Sequence, residues 1–91
     1  MSEIRILLVD DHAMFRAGIK ALLEDEARFT VIGEAASGDE AVDEVRSLKP
    51  DVVVMDLSMP GSNGLEATRR IAALGLDTRV LVLTVHAEEE Y

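Results

Sequence analysis

The chain has 91 residues, near the lower end for one domain, so a single core of modest size is expected. Nine Lys and Arg against 18 Asp and Glu give a formal net charge of -9, which repels a phosphate backbone and argues against direct nucleic-acid binding by this chain. With 48% hydrophobic and 30% charged residues and no cysteine, the composition is globular and excludes a disulfide framework or a thiolate zinc site.

The N-terminus, Met1-Ser2-Glu3-Ile4-Arg5, lacks the basic region and apolar stretch of a secretory signal. No apolar run approaches the ~20 residues of a membrane span. A cytoplasmic protein without a membrane role is therefore expected. Ile4 to Val9 is a short, continuous apolar run of the length and character of a strand buried on both faces. The next segment spaces Phe15, Ile19, Leu22 and Leu23 along one helical face and Arg16, Lys20 and Glu24 along the other. A second strand is expected over Phe29 to Ala36. Ser37-Gly38-Asp39 then opens a helix with Ala41, Val42, Val45 and Leu48 inward, and Pro50 stops it. Val52 to Met55 reads as a third strand. A third helix starts near Asn63-Gly64, turns Leu65, Thr68, Ile71 and Ala72 inward, and ends around Gly75. Val80 to Thr84 is the fourth strand. Strands alternating with helices in this way indicate βαβ units and a parallel α/β sheet with helices on both faces.

The polar residues that interrupt the apolar pattern fall at strand ends. Asp10 and Asp11 follow the first strand, Asp56 follows the third and Thr84 ends the fourth. In open parallel sheets, ligands bind beyond the carboxyl ends of strands, where the strand order reverses. One Asp in such a place is often only a solvated turn residue. Three that converge repel one another and need a cation or a shared proton. A hard divalent ion such as Mg2+ suits an all-oxygen site that is open on one side. The turn Met59-Pro60-Gly61-Ser62-Asn63-Gly64 keeps the surroundings of Asp56 open, and it can aim a backbone carbonyl, that of Ser58, at an ion beside Asp56.

Asp10-Asp11-His12, the run Val52-Val53-Val54-Met55-Asp56-Leu57-Ser58-Met59-Pro60-Gly61, and Leu83-Thr84 together resemble a response-regulator receiver domain. The stretches from Asp11 to Arg16 and from Leu83 to His86 resemble the subfamily that carries a C-terminal helix-turn-helix output domain. The resemblance covers the whole chain. It implies a flavodoxin-like doubly wound sheet of order 2-1-3-4, with residues 1–91 forming one receiver domain. It further implies that Asp56 accepts a phosphoryl group from a histidine kinase, without being a turnover enzyme. Asp11 would ligate Mg2+ directly, Asp10 mainly through water and Ser58 through its carbonyl, while Thr84 would donate its hydroxyl to the phosphoryl group. His12 follows the acidic pair and could approach the site, but a surface position at the start of the first helix is the favoured reading, and His86 is read as a solvated histidine.

In the family a further helix, a fifth strand bearing a phosphate-pairing lysine and a last helix follow the fourth strand, whereas this sequence ends at Tyr91. Lys20, within the first helix, and Lys49, at the far end of the second, do not stand in for that lysine. An incomplete receiver is thus expected, with its fourth strand as an open edge that a second copy would cover. The alternative is an interaction or dimerisation module in which phosphorylation is impaired. A phosphatase of the haloacid-dehalogenase type would need an acid two residues after its nucleophile, where Ser58 stands. A flavin or nucleotide binder would need a phosphate-cradling loop where Asp10 and Asp11 stand.

Overall fold

The computed structural model describes residues 3–57 and 64–83. Seven elements alternate along them: β1 (Ile4–Val9), α1 (Ala13–Glu24), β2 (Phe29–Ala35), α2 (Gly38–Leu48), β3 (Val52–Asp56), α3 (Gly64–Ala73) and β4 (Arg79–Leu83). The strands form one parallel sheet in the order β2-β1-β3-β4, the doubly wound α/β arrangement expected of the sequence. Side chains alternate across each strand, and both faces of the sheet are apolar. Leu7, Val9, Val53 and Met55 pack under Ala41, Val42 and Val45 of α2 and Ala67 and Ile71 of α3. Ile6, Leu8 and Val54 face the other way, toward Ile19 and Leu23 of α1.

α2 has reciprocal capping at its start. The Ser37 hydroxyl accepts from the Glu40 backbone N–H at 3.2 Å, while Glu40 Oε1 accepts from the Ala36 N–H at 2.8 Å. At its other end Lys49 takes the left-handed conformation (φ 47°), ahead of Pro50. The Arg5 guanidinium donates to the exposed carbonyls of Leu48 at 2.7 Å and Lys49 at 2.8 Å, tying this helix end to β1. Lys49 thus lies at the end of the sheet away from the carboxyl tips of the strands, and Lys20 pairs with Glu34 at 3.7 Å.

Two helices pack differently from their sequence patterns. On α1 only Ile19 and Leu23 settle on the sheet, and no residue of the helix is buried; Phe15 and Leu22 stay exposed although they share the apolar stripe. On α3 the inward stripe is Gly64, Ala67 and Ile71, with Leu65 and Ala72 outside it. Small residues at the first two of these positions let the helix axis come close to β3, and the bulkier Leu65 is turned out.

Candidate functional site

Strand register brings the acidic residues together. Leu8 pairs with Val54 and Val9 with Met55, so the next step along both strands sets Asp10 beside Asp56. The Asp10 N–H continues the ladder to the Ala35 carbonyl at 3.0 Å, and the Leu57 N–H continues it to the Leu83 carbonyl at 3.1 Å. Both carboxylates are therefore carried on backbone fixed from two sides. Asp10 is only 2% exposed and Asp56 5%, the only charged residues counted in the interior among those described. Asp56 shares the face of Val52 and Val54 rather than that of Val53 and Met55, so it points away from the α2–α3 side of the core.

Burial, and then the adjoining Asp56 carboxyl group, raise the Asp10 pKa above its ordinary range. The His12 backbone N–H, donating to Asp10 Oδ1 at 2.7 Å, partly opposes that rise. Asp10 Oδ2 is buried and has no hydrogen-bond donor while both carboxyl groups are ionised; a proton shared with Asp56 would link the two. Asp11 Oδ1 is likewise buried without a donor; it is met by the His12 Nδ1 at 2.8 Å, out of line for a hydrogen bond. Buried carboxylate oxygens that lack donors are costly unless something positive approaches them. One ligand atom each from Asp10, Asp11 and His12 lie within 4.8 Å of one another. The donor set and its orphaned oxygens fit a hard divalent cation.

Of the four metal-ligating residues expected from the sequence, Asp10, Asp11 and Asp56 fall at this carboxyl edge, and Ser58 lies outside the described residues. Thr84 and His86 lie outside them too. Sequence reasoning missed Arg16, which it assigned to the polar face of α1. Its guanidinium donates through Nη1 to the Asp10 backbone carbonyl and through Nε to Glu34 at 2.9 Å, so it clamps the tip of β1 to β2 and α1. The spacing of six residues from Asp10 was its only available signal. His12, read first as a surface residue with approach to the acidic pair as the alternative, is 69% exposed in its side chain, and its Nδ1 also reaches both Asp11 and, at 3.4 Å, Asp10.

Gly64, the first residue of α3, packs against the backbone at the end of β3. A Cβ there would stand 2.7 Å from Leu57 Cδ2 and 3.3 Å from the Asp56 carbonyl oxygen, which sits in a core strand and cannot readily yield. Gly64→Val should therefore destabilise the fold by about 1–3 kcal/mol through overpacking, read as a lower urea midpoint with unchanged slope.

Comparison with known proteins bears on the family and the fold. The family model described as the response regulator receiver domain matches residues 6–91. The response regulator UvrY of Escherichia coli (strain K12) is 53% identical over 85 residues, which are 93% of this chain and 39% of UvrY. The chain thus spans well under half the length of that curated relative. Among solved structures, the signal receiver domain of the response regulator NarL from Mycobacterium tuberculosis superposes with a TM-score of 0.87 at 32% identity, covering 99% of this chain and 73% of that one. A LuxR-family two-component response regulator from Aurantimonas sp. SI85-9A1 also gives 0.87, at 45% identity, covering 93% of this chain and 61% of its own. Sequence, strand order and the acidic edge converge, and this chain belongs to the response regulator receiver domain family.

Proposed function

We propose that the chain is a phosphorelay receiver that takes a phosphoryl group onto Asp56 from a histidine kinase, in a step that requires Mg2+. The observation that carries this reading is the buried Asp56 carboxyl group set against Asp10 at the carboxyl edge of the sheet. One Asp56 oxygen attacks phosphorus; the new O–P bond forms as the P–N bond to the donor imidazole breaks, and the leaving imidazole takes up a proton. Asp10, Asp11, Asp56 and the Ser58 carbonyl are the residues that would hold the ion. When bound, Mg2+ offsets charge on the phosphoryl oxygens and orients the group. Arg16 keeps the Asp10 backbone in register with Asp56. Thr84 is assigned the hydroxyl that meets the phosphoryl oxygens once they carry the added negative charge, the first movement of a switch toward a DNA-binding output domain. A cytoplasmic location goes with this role, and none of the described helices is long and apolar enough to cross a membrane. The test is incubation with Mg2+ and a small acyl or amido phosphate donor, followed by intact mass: one added phosphoryl group supports the reading, and none favours the interaction module.

Self-association is part of the same proposal. Among the described residues no strand pairs with the outer edge of β4, where Leu81 is 56% exposed; on α1, Leu22 is 72% exposed. An open strand edge that carries an exposed apolar side chain such as Leu81 is a template for a second copy, and Leu22 adds an exposed apolar side chain on the β1–β2 side of the sheet. Sedimentation should show a dimer at high concentration that Leu81→Lys shifts to monomer, and a wild-type protein that stays monomeric and folded there would count against it.

A further inference from the structure

His12 has no part in the phosphoacceptor chemistry, yet its ring lies against the acidic pair. We infer that its Nδ1 is a ligand for first-row transition ions such as Mn2+ and Ni2+ at the Asp10–Asp11 site, a ligand that Mg2+ leaves unused. This rests on the reading of that pair as a divalent-cation site.

The geometry supplies the first argument. Nδ1 stands 2.8 Å from Asp11 Oδ1 and 3.4 Å from Asp10 Oδ1, but the Asp11 oxygen does not lie where an Nδ1–H bond would need it. Two atoms bound at about 2.1 Å and a right angle around one ion are about 3 Å apart, so the spacing matches neighbouring ligands of a common centre. Asp10 Oδ2 is a second observation: the side chain is 3% exposed, and with both Asp10 and Asp56 ionised that buried oxygen receives no hydrogen-bond donor. The third argument is ligand preference. Affinity for an imidazole nitrogen is weakest at Mn2+, rises through Ni2+ to Cu2+ and falls again at Zn2+, whereas Mg2+ prefers oxygen and retains water. For Nδ1 to bind, the ring proton needs only to reside on Nε2. A site that adds one nitrogen to its carboxylates would therefore hold a late transition ion far more tightly than a receiver edge made of oxygen alone.

His12→Ser is a safe variant, because residue 12 is the exposed N-cap of α1, makes no side-chain capping bond, and serine is favoured there. With Mn2+ bound, electron spin-echo modulation should show a directly coupled nitrogen in the wild type, lost in His12→Ser and retained in His86→Ser. By calorimetric titration, His12→Ser should weaken Ni2+ binding about tenfold or more while Mg2+ affinity changes by less than about twofold. Bound Mn2+ without nitrogen modulation, or modulation that survives in His12→Ser, overturns the inference and leaves the Mg2+ reading intact. A wild-type protein that binds neither Mg2+ nor Mn2+ overturns both.

Discussion

Asp56→Asn should abolish the phosphoryl adduct altogether, while the wild type gains one phosphoryl group per chain under the same Mg2+ and donor. An amide oxygen is a far weaker nucleophile than a carboxylate, and no neighbouring group takes over: Asp10 is held in the sheet ladder and through the His12 N–H. The variant should fold. Asn is close to Asp in volume, and replacing one of two facing buried carboxyl groups relieves repulsion. A mixed anhydride on Asp56 is cleaved by hydroxylamine, whereas a phosphate ester on Ser or Thr is not. Intact mass before and after hydroxylamine treatment therefore separates the Asp56 product from incidental modification. An adduct of equal yield in Asp56→Asn would show that another residue is the acceptor.

The acidic edge could be read in the sequence because its logic is topological. Once β1 and β3 are adjacent parallel strands, residues that end them must meet, and Asp10 and Asp56 do so through the Leu8–Val54 and Val9–Met55 register. Continuous Val, Ile and Leu runs marked the strands, and in β1 and β3 both faces are covered, whereas the equally apolar β4 is largely exposed. The second helix was equally legible, since Ser37, Glu40 and Pro50 are local signals that act within a few residues of the helix ends.

What the sequence did not reveal depends on distances between elements. Amphipathic spacing on α1 marks four apolar residues as inward, but only the two nearest the sheet reach it. On α3, hydrophobicity favoured Leu65, whereas close approach to β3 favoured Gly64 and Ala67. Arg16 looks like an ordinary solvated cation until the turn after β1 brings the Asp10 carbonyl and Glu34 within its reach. His12 is similar: its exposure follows from its place at the helix start, but its contact with Asp11 depends on the turn geometry. Of the two carboxylates that follow β1, Asp11 lies one residue further from the ladder, which explains why Asp10 is better fixed by register than Asp11.

Asp10→Asn should stabilise the metal-free protein at neutral pH and remove most of its response to Mg2+. Two unit charges about 4 Å apart repel by about 1 kcal/mol in water and about 4 kcal/mol at an effective dielectric of 20, and the gain should fall between these limits. For a domain of this size each kcal/mol moves the melting temperature by about 4–8 °C. The pH dependence has a defined sign. The folded-state pKa of Asp10 is raised, so its protonation favours the folded state; that contribution is complete below its unfolded value of 3.8 and is lost as pH rises through the folded value. The wild type should accordingly fall further behind Asp10→Asn as pH rises from about 4 toward neutrality, with the gap constant above the folded pKa. Mg2+ should act in the opposite direction, since a ligand at 100 times its Kd adds about 2.7 kcal/mol to the folded state that binds it. Wild-type melting temperature should rise with Mg2+ and return to its starting value with a chelator, while Asp10→Asn, which keeps the Oδ1 acceptor for the His12 N–H but has lost a charge beside the ion, should respond weakly. Calorimetric melting across pH 4 to 8 with and without Mg2+ measures both effects. A metal-free Asp10→Asn protein that melts below the wild type at pH 7 would mean that Asp10 is held there by favourable contacts rather than kept under strain for a cation.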